Sequence, residues 1–259
     1  MNAPTQRQPI NVLSSQAADQ PGLSVLVLLA SLAALGTLST NIILPSFPSM
    51  GAELGISSRE MGLTLSYFFV AFAVGQLLVG PLSDRYGRKW LVIGGLLIFS
   101  LGSLLCAYAS NLETLLAGRV VQALGVCAAS VLSRAIARDL FEGETLARSL
   151  ALIMVAMAAA PGFSPLLGSA SDSYLGWRAT FGIVGLVGIL VAIGYARTLG
   201  ETHAPERRRL VTAAAITSQY LRLMADPRFA RPALAVSLIV GGLYAFLAQH
   251  LPYSWSIWG

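Results

Sequence analysis

Charge is scarce in this sequence: Asp, Glu, Lys and Arg make up 11% of 259 residues, and lysine occurs once, at Lys89. A soluble globular domain carries about 25% charged residues, so a water-soluble enzyme is nearly excluded. Nucleic acid is a poor partner despite the net charge of +5, because the arginines sit in short clusters between apolar runs, as membrane topology requires. The two cysteines, Cys106 and Cys127, both fall inside apolar runs and read as small buried hydrophobes rather than as a disulfide or a metal site. All twelve carboxylates lie outside or at the ends of the apolar runs, so none is placed for a proton relay at mid-membrane depth. The histidines, His203 in a polar interval and His250 near the end of the last run, do not fill that gap; His250 reads as an interfacial side chain. No metal or cofactor motif appears.

What the chain does contain is apolar length. Apolar side chains make up 55% of it, and the mean hydropathy is +0.69. Charge is absent from Gln20 to Ala52, Met61 to Ser83, Trp90 to Leu112, Ser149 to Ser171, Ala179 to Ala196 and from Pro232 onward, and Thr114 to Ser133 is broken only by Arg119. Each run supplies the roughly 20 residues that a helix rising about 1.5 Å per residue needs to cross a 30 Å hydrocarbon layer. Seven spanning helices are expected. The first run is too long for a signal-peptide core and lacks a small-residue cleavage site, so it reads as a retained helix. Glycine, alanine and serine recur within the runs, which suits close packing of membrane helices. The fold class is an all-α membrane protein, with a cytoplasmic tail at 1–22, a six-helix bundle at 23–199, a cytoplasmic linker at 200–230 and a seventh helix at 231–259.

With the N-terminus inside, fourteen of the seventeen basic residues fall on the cytoplasmic side. Only Arg59 and Arg178 fall outside and Arg119 lies within a span, so the positive-inside rule supports a cytoplasmic N-terminus. Tyr108, Tyr174 and Trp177 at one membrane face, with Tyr86, Trp90 and Tyr195 at the other, fit aromatic belts. In the linker, Leu210, Val211, Ala214, Leu221 and Met224 share roughly one helical face, which suits either a helix on the inner leaflet or a solvated basic loop that only sets topology.

Three segments carry chemistry. The first cytoplasmic loop reads Gly80-Pro81-Leu82-Ser83-Asp84-Arg85-Tyr86-Gly87-Arg88-Lys89: glycines for a tight turn or close helix approach, and one carboxylate beside three cations able to form a charge-assisted network at a helix end. The fourth span holds Arg119-Val120-Val121-Gln122-Ala123-Leu124-Gly125. An arginine there costs at least about 2.5 kcal/mol unless it faces a polar cavity or a partner; the alternative is snorkelling to the interface, about 10 Å away along the helix. Gln122, one turn along, extends the same polar face. In the fifth span, Pro161 and Pro165 remove backbone donors and bend the helix, and Ala160, Ser164, Gly168 and Ser169 supply a small-residue face for packing or gating. Gly162-Phe163-Ser164 begins a nucleophile-elbow pattern, but Leu166 stands where its last glycine belongs, and no catalytic constellation supports an enzyme.

These segments resemble the major facilitator superfamily of secondary transporters: the loop resembles its G-x-L-x-D-R-x-G-R-K/R signature, Arg119 to Gly125 its R-x-x-Q-x-x-G motif, and the fifth span its antiporter motif. Ser39-Thr40-Asn41-Ile42-Ile43-Leu44-Pro45-Ser46-Phe47-Pro48, Gly176-Trp177-Arg178 with Phe181, Glu201-Thr202 and Asp226-Pro227-Arg228-Phe229 are similar to the bicyclomycin and chloramphenicol resistance (Bcr/CflA) branch of drug:proton antiporters. The resemblance implies two six-helix bundles built from inverted repeats, with a substrate cavity between them. It implies export of drug-like or other small molecules across a bacterial inner membrane by alternating access, with the substrate, protons and the lipid bilayer as partners and no cofactor. This chain ends at Gly259, where the resemblance implies about twelve helices, so a partial chain is expected, completed by a missing second bundle or another copy.

The resemblance also sharpens the site. Its pattern has an aspartate where this chain has Asn41, and asparagine does not bind and release a proton; coupling at this position is therefore in doubt. Thr37, Asn41, Arg119 and Gln122 form the expected cavity-lining set, Asn41 lying at a depth comparable to Arg119. Gly80, Asp84, Arg85, Gly87, Arg88 and Lys89 are assigned to conformational control, with Arg134 or Arg138 as their partner in this chain, and Pro161, Ser164, Pro165 and Gly168 to gating or packing. A fixed cation favours anionic or dipolar substrates. The competing function is a non-transporting half-bundle with a structural or partner-binding role.

Overall fold

The computed structural model describes residues 22–203 and 213–255, and in these residues the chain is helical throughout, with no strand. Helix α1 (Leu23–Asn41) is followed by a 3-10 turn at Leu44–Ser46 and a short α2 (Phe47–Leu54); then come α3 (Ser58–Tyr86), α4 (Arg88–Ala107), α5 (Leu112–Leu140), α6 (Gly143–Leu175) and α7 (Trp177–Thr198). The first apolar run thus breaks after a 19-residue helix, about 28 Å long at 1.5 Å per residue, where Pro45 and Pro48 interrupt it. Among the described residues, six stretches are long and apolar enough to cross a membrane: Leu23–Leu54 and the five helices α3 to α7. The protein is a multi-pass integral membrane protein.

Local signals set the ends. Ser57 begins α3 with a capping box: its Oγ accepts from the Glu60 N–H and its own N–H donates to Glu60 Oε2 at 2.9 Å. Asn111 Oδ1 accepts from the Thr114 N–H at 2.8 Å and caps α5. Between α3 and α4 stands the single residue Gly87, at φ +92°, a left-handed conformation that a side chain would strain.

α5 is the central helix and contacts α1, α3, α4 and α6. It meets α4 through glycines at heptad spacing on both, Gly95 and Gly102 facing Gly125 and Gly118. A Cβ at Gly125 would lie 2.2 Å from the Phe99 backbone nitrogen, and one at Gly102 would lie 2.3 Å from that of Gln122, so the backbones approach closer than any side chain permits. On the far side of α4, Gly185 and Gly188 of α7 face Ser103, Phe99 and Ser100. Several buried hydroxyls donate to backbone carbonyls: Ser103 Oγ to Phe99 O at 2.9 Å, Ser100 Oγ to Gly185 O at 2.9 Å and Thr64 Oγ1 to Met61 O at 2.6 Å. The interior is therefore polar in places with almost no charge in it. The outer surface is apolar, with Leu97 and Leu101 on α4, Met154 and Leu166 on α6 and Leu186 and Leu190 on α7 all exposed, as expected where lipid is the solvent.

α6 stays one helix through Pro161 and Pro165 and buries a single stripe that includes Ala160, Ser164 and Gly168. Ser164 Oγ donates to the Ala160 carbonyl, and Gly168 lets the carbonyl of Ile42, just past the end of α1, approach to 1.8 Å of where a Cβ would stand. Both prolines are half-buried.

The chain divides into two compact units, after Arg209. The second contains α8 (Ala213–Ala225) and α9 (Pro227–Trp255), a 29-residue helix where the sequence predicts the seventh. Asp226 begins α9: its Oδ1 accepts from the Arg228 N–H at 2.9 Å, and Pro227 fills the first helical position, where no donor is needed. Leu210 and Val211 of the predicted linker face lie outside the described residues.

Candidate functional site

Arg119 is the eighth residue of α5 and is wholly buried, 0% exposed. It does not snorkel. The α4–α5 glycine contacts draw the helices together around it, and Gln122, also fully buried, lies one turn further along α5. Arg119 Nη1 donates to Gln122 Oε1 and, at 3.4 Å, to the Ser39 carbonyl of α1. Gln122 Nε2 donates in turn to Ser103 Oγ of α4 at 2.8 Å. Arg119 Cζ lies over the Phe68 ring of α3, 4.2 Å from its centroid, a cation–π contact worth about 0.5–2 kcal/mol. Four helices thus converge on one cation. No carboxylate among the described residues touches it, and its Nε and Nη2 are buried without a hydrogen-bond partner.

Asn41 and Thr37 hydrogen-bond within α1. Asn41 is buried, but its Nδ2 donates to the Thr37 carbonyl at 2.7 Å, one turn back on its own helix. Thr37 Oγ1 donates to Ala34 O at 2.9 Å. Arg119 reaches α1 two residues before Asn41, at Ser39. Ser39, Ser103 and Phe68 are not evident from the sequence: Ser39 takes part through its carbonyl, Phe68 through an aromatic ring, and Ser103 through one hydroxyl among the many small polar residues of the spans.

A second cluster forms where α3 turns into α4. Asp84 Oδ1 accepts from Arg88 Nη1 at 3.3 Å, and that nitrogen also donates to Ser83 Oγ. Arg88 Nε reaches Asp139 Oδ2 at 3.0 Å, near the end of α5. The partner is thus the acid beside Arg138 rather than Arg134 or Arg138: a guanidinium needs a carboxylate, Arg138 is exposed, and Arg134 Nη1 contacts Met157 Sδ at 3.4 Å. The segment after α7 joins the same cluster. Glu201 Oε1 accepts from the Arg88 N–H at 2.8 Å at the start of α4, and Thr202 Oγ1 donates to Asp139 Oδ2 at 3.3 Å. Arg85 and Lys89 stack on their neighbours Tyr86 and Trp90, at 5.1 and 5.8 Å. Gly87 makes the turn, whereas Gly80 lies within α3 and a Cβ there would meet nothing within 4 Å of it, so among the described residues Gly80 serves neither a tight turn nor a close approach.

At the opposite end of the bundle, Glu53 of α2 accepts from Trp177 Nε1 at 2.6 Å and from Arg178 Nη1, while Arg178 Nη2 donates to Ala109 O at 3.0 Å. Ser49 Oγ donates to Asp172 of α6. These contacts fasten α2 to α6 and α7, and α7 to the α4–α5 turn.

The described residues thus form a bundle of long apolar helices with a buried cation, Arg119, at its centre and a charged cluster at one end. The Major Facilitator Superfamily profile matches residues 29–256, and the chain belongs to that family. Similar proteins include the uncharacterized MFS-type transporter YdgK of Bacillus subtilis, 36% identical over 87% of this chain and 57% of its own length. They also include the bicyclomycin resistance protein homolog of Haemophilus influenzae, at 31% over 85% and 55%, and the chloramphenicol resistance protein of Pseudomonas aeruginosa, at 37% over 69% and 43%. The Bcr/CflA resemblance and these relatives agree. The chain spans about half the length of the curated relatives it matches. Among solved structures, an inward-facing, unoccupied bacterial homolog of the human lysosomal transporter Spinster shares the fold, with a TM-score of 0.68 at 22% identity over 88% of this chain and 55% of the other.

Proposed function

We propose that this chain supplies one wall of the translocation path of a secondary active transporter, exporting drug-like or other small molecules across a bacterial inner membrane by alternating access. The observation that carries the reading is Arg119, a charge held at 0% exposure among four helices in a family of transporters. A buried ion without a carboxylate partner costs several kcal/mol, a cost without structural return unless the charge serves a ligand. The basic loops put the N-terminus and the Arg88 cluster on the cytoplasmic side. There the cluster ties the α3–α4 turn to the end of α5 and to the segment after α7, three elements that must move together when the path opens and closes. The interval at 200–230 acts as the linker, and residues 231–259 as a seventh span that begins a second bundle. Asn41 has no proton to exchange, so either a group elsewhere carries proton coupling or transport is not driven by protons through a carboxylate at this position.

The test is release of chloramphenicol from proteoliposomes containing this chain. Faster release than from protein-free vesicles, slowed about tenfold or more in Asp84→Ala and Arg119→Ala, supports the reading. Release equal to that from empty vesicles identifies a non-transporting half-bundle instead.

A further inference from the structure

The two unpartnered nitrogens of Arg119, Nε and Nη2, are neighbours on one edge of the guanidinium. The rest of the group is in use: Cζ lies over the Phe68 ring, 4.2 Å from its centroid, and Nη1 is committed to Gln122 Oε1 and the Ser39 carbonyl. What is left is a pair of parallel N–H donors lying in the guanidinium plane. That fork matches the two oxygens of a carboxylate, which accept from it bidentately; a spherical anion takes the two donors less well. The need for an anion follows from the same residues, since Arg119 is fully buried and touches only neutral acceptors among the described residues.

We propose that the Nε–Nη2 edge of Arg119 is a carboxylate-binding site, and that the molecules this protein carries include organic monocarboxylates. The substrate class rests on the transporter reading above; the site itself does not. Gln122 sets the geometry, because its Oε1 holds Nη1 while its own Nε2 is bound to Ser103 of α4. The selectivity of the site lies in shape, two oxygens in a plane, more than in charge.

The experiment is thermal unfolding of the purified full chain in detergent, titrated with sodium benzoate or with sodium chloride at matched sodium concentration. Benzoate is expected to raise Tm by about 2–6 °C once well above its Kd, and chloride to raise it by less than a third as much. Gln122→Glu places a carboxylate against the guanidinium from within the protein and is expected to fold while losing the benzoate response. Arg119→Gln is expected to lose it as well. Equal responses to chloride and benzoate, no response to either, or a full benzoate response in Gln122→Glu would each overturn the site. Binding in detergent does not require transport, so a lost benzoate response beside intact chloramphenicol release refutes this inference alone. An intact benzoate response beside absent release refutes only the transporter reading.

Discussion

The Arg88 guanidinium, in the first residue of α4, meets the Asp139 carboxylate near the end of α5 at 3.0 Å, and both side chains are largely shielded, 11% and 18% exposed. The same arginine reaches Asp84 and Ser83, while its backbone N–H donates to Glu201. Removing one partner of a shielded pair leaves the other charge uncompensated. Asp139→Asn is expected to lower stability by about 1–3 kcal/mol, read as a fall in Tm of the detergent-solubilised protein. Arg88→Lys is expected to fall short of rescue, because an ammonium does not reproduce the separate directions of Nε and Nη1.

The helix contacts give a sharper pair. Gly125→Ala puts a Cβ 2.2 Å from the Phe99 nitrogen, against backbone that has nowhere to go, whereas a Cβ at Gly94 meets nothing within 4 Å. Gly125→Ala is expected to lose well over 2 kcal/mol or to fail to fold. Gly94→Ala, one helical position from the packed Gly95, is expected to be neutral or to gain up to about 1 kcal/mol. Expression level and Tm of the two variants side by side check this.

Much of this architecture is legible in the sequence, for a physical reason. Spans are set by uninterrupted apolar length, and the charge-free runs locate all six helices of the bundle; a charge inside a run, Arg119, identifies itself by its cost. What the sequence does not show is rotation and pairing. Asp139 and Arg138 are adjacent in sequence but sit about 100° apart around a helix, and only packing decides that Asp139 faces Arg88. The same holds for Asn41: depth puts it level with Arg119, yet the carbonyl two residues earlier takes the contact. Glu201 is half legible, since an acid just past the last turn of α7 falls at the same end as the basic loop. Phe68 over Arg119 is not, because one ring among many apolar residues carries no distinguishing signal.

Stability and function are expected to separate at position 119. Arg119→Met keeps much of the side-chain volume and the packing on Phe68 while removing a buried charge, a replacement that is often neutral or stabilising by about 1–4 kcal/mol. Tm is expected to hold or rise while transport is lost. A fall in Tm comparable to that of Asp139→Asn would mean that the guanidinium is structural.

Asn41→Asp restores a titratable group on α1, two residues from the carbonyl that Arg119 touches. The wild-type protein is expected to show no substrate-induced proton exchange that depends on position 41, whereas the carboxylate of Asn41→Asp starts ionised near Arg119, so this variant, recorded with a pH dye in weak buffer, is expected to take up protons when benzoate competes for the guanidinium. Identical traces for the two proteins would contradict the role of this position.

The most direct test of the central claim, that the buried cation belongs to a transport path, is steady-state chloramphenicol accumulation in cells carrying the chain, its Arg119→Gln variant or an empty vector, at matched membrane abundance. Wild-type cells are predicted to hold several-fold less drug than vector cells, with Arg119→Gln cells indistinguishable from vector. Accumulation in Arg119→Gln cells as low as in wild type would contradict the account.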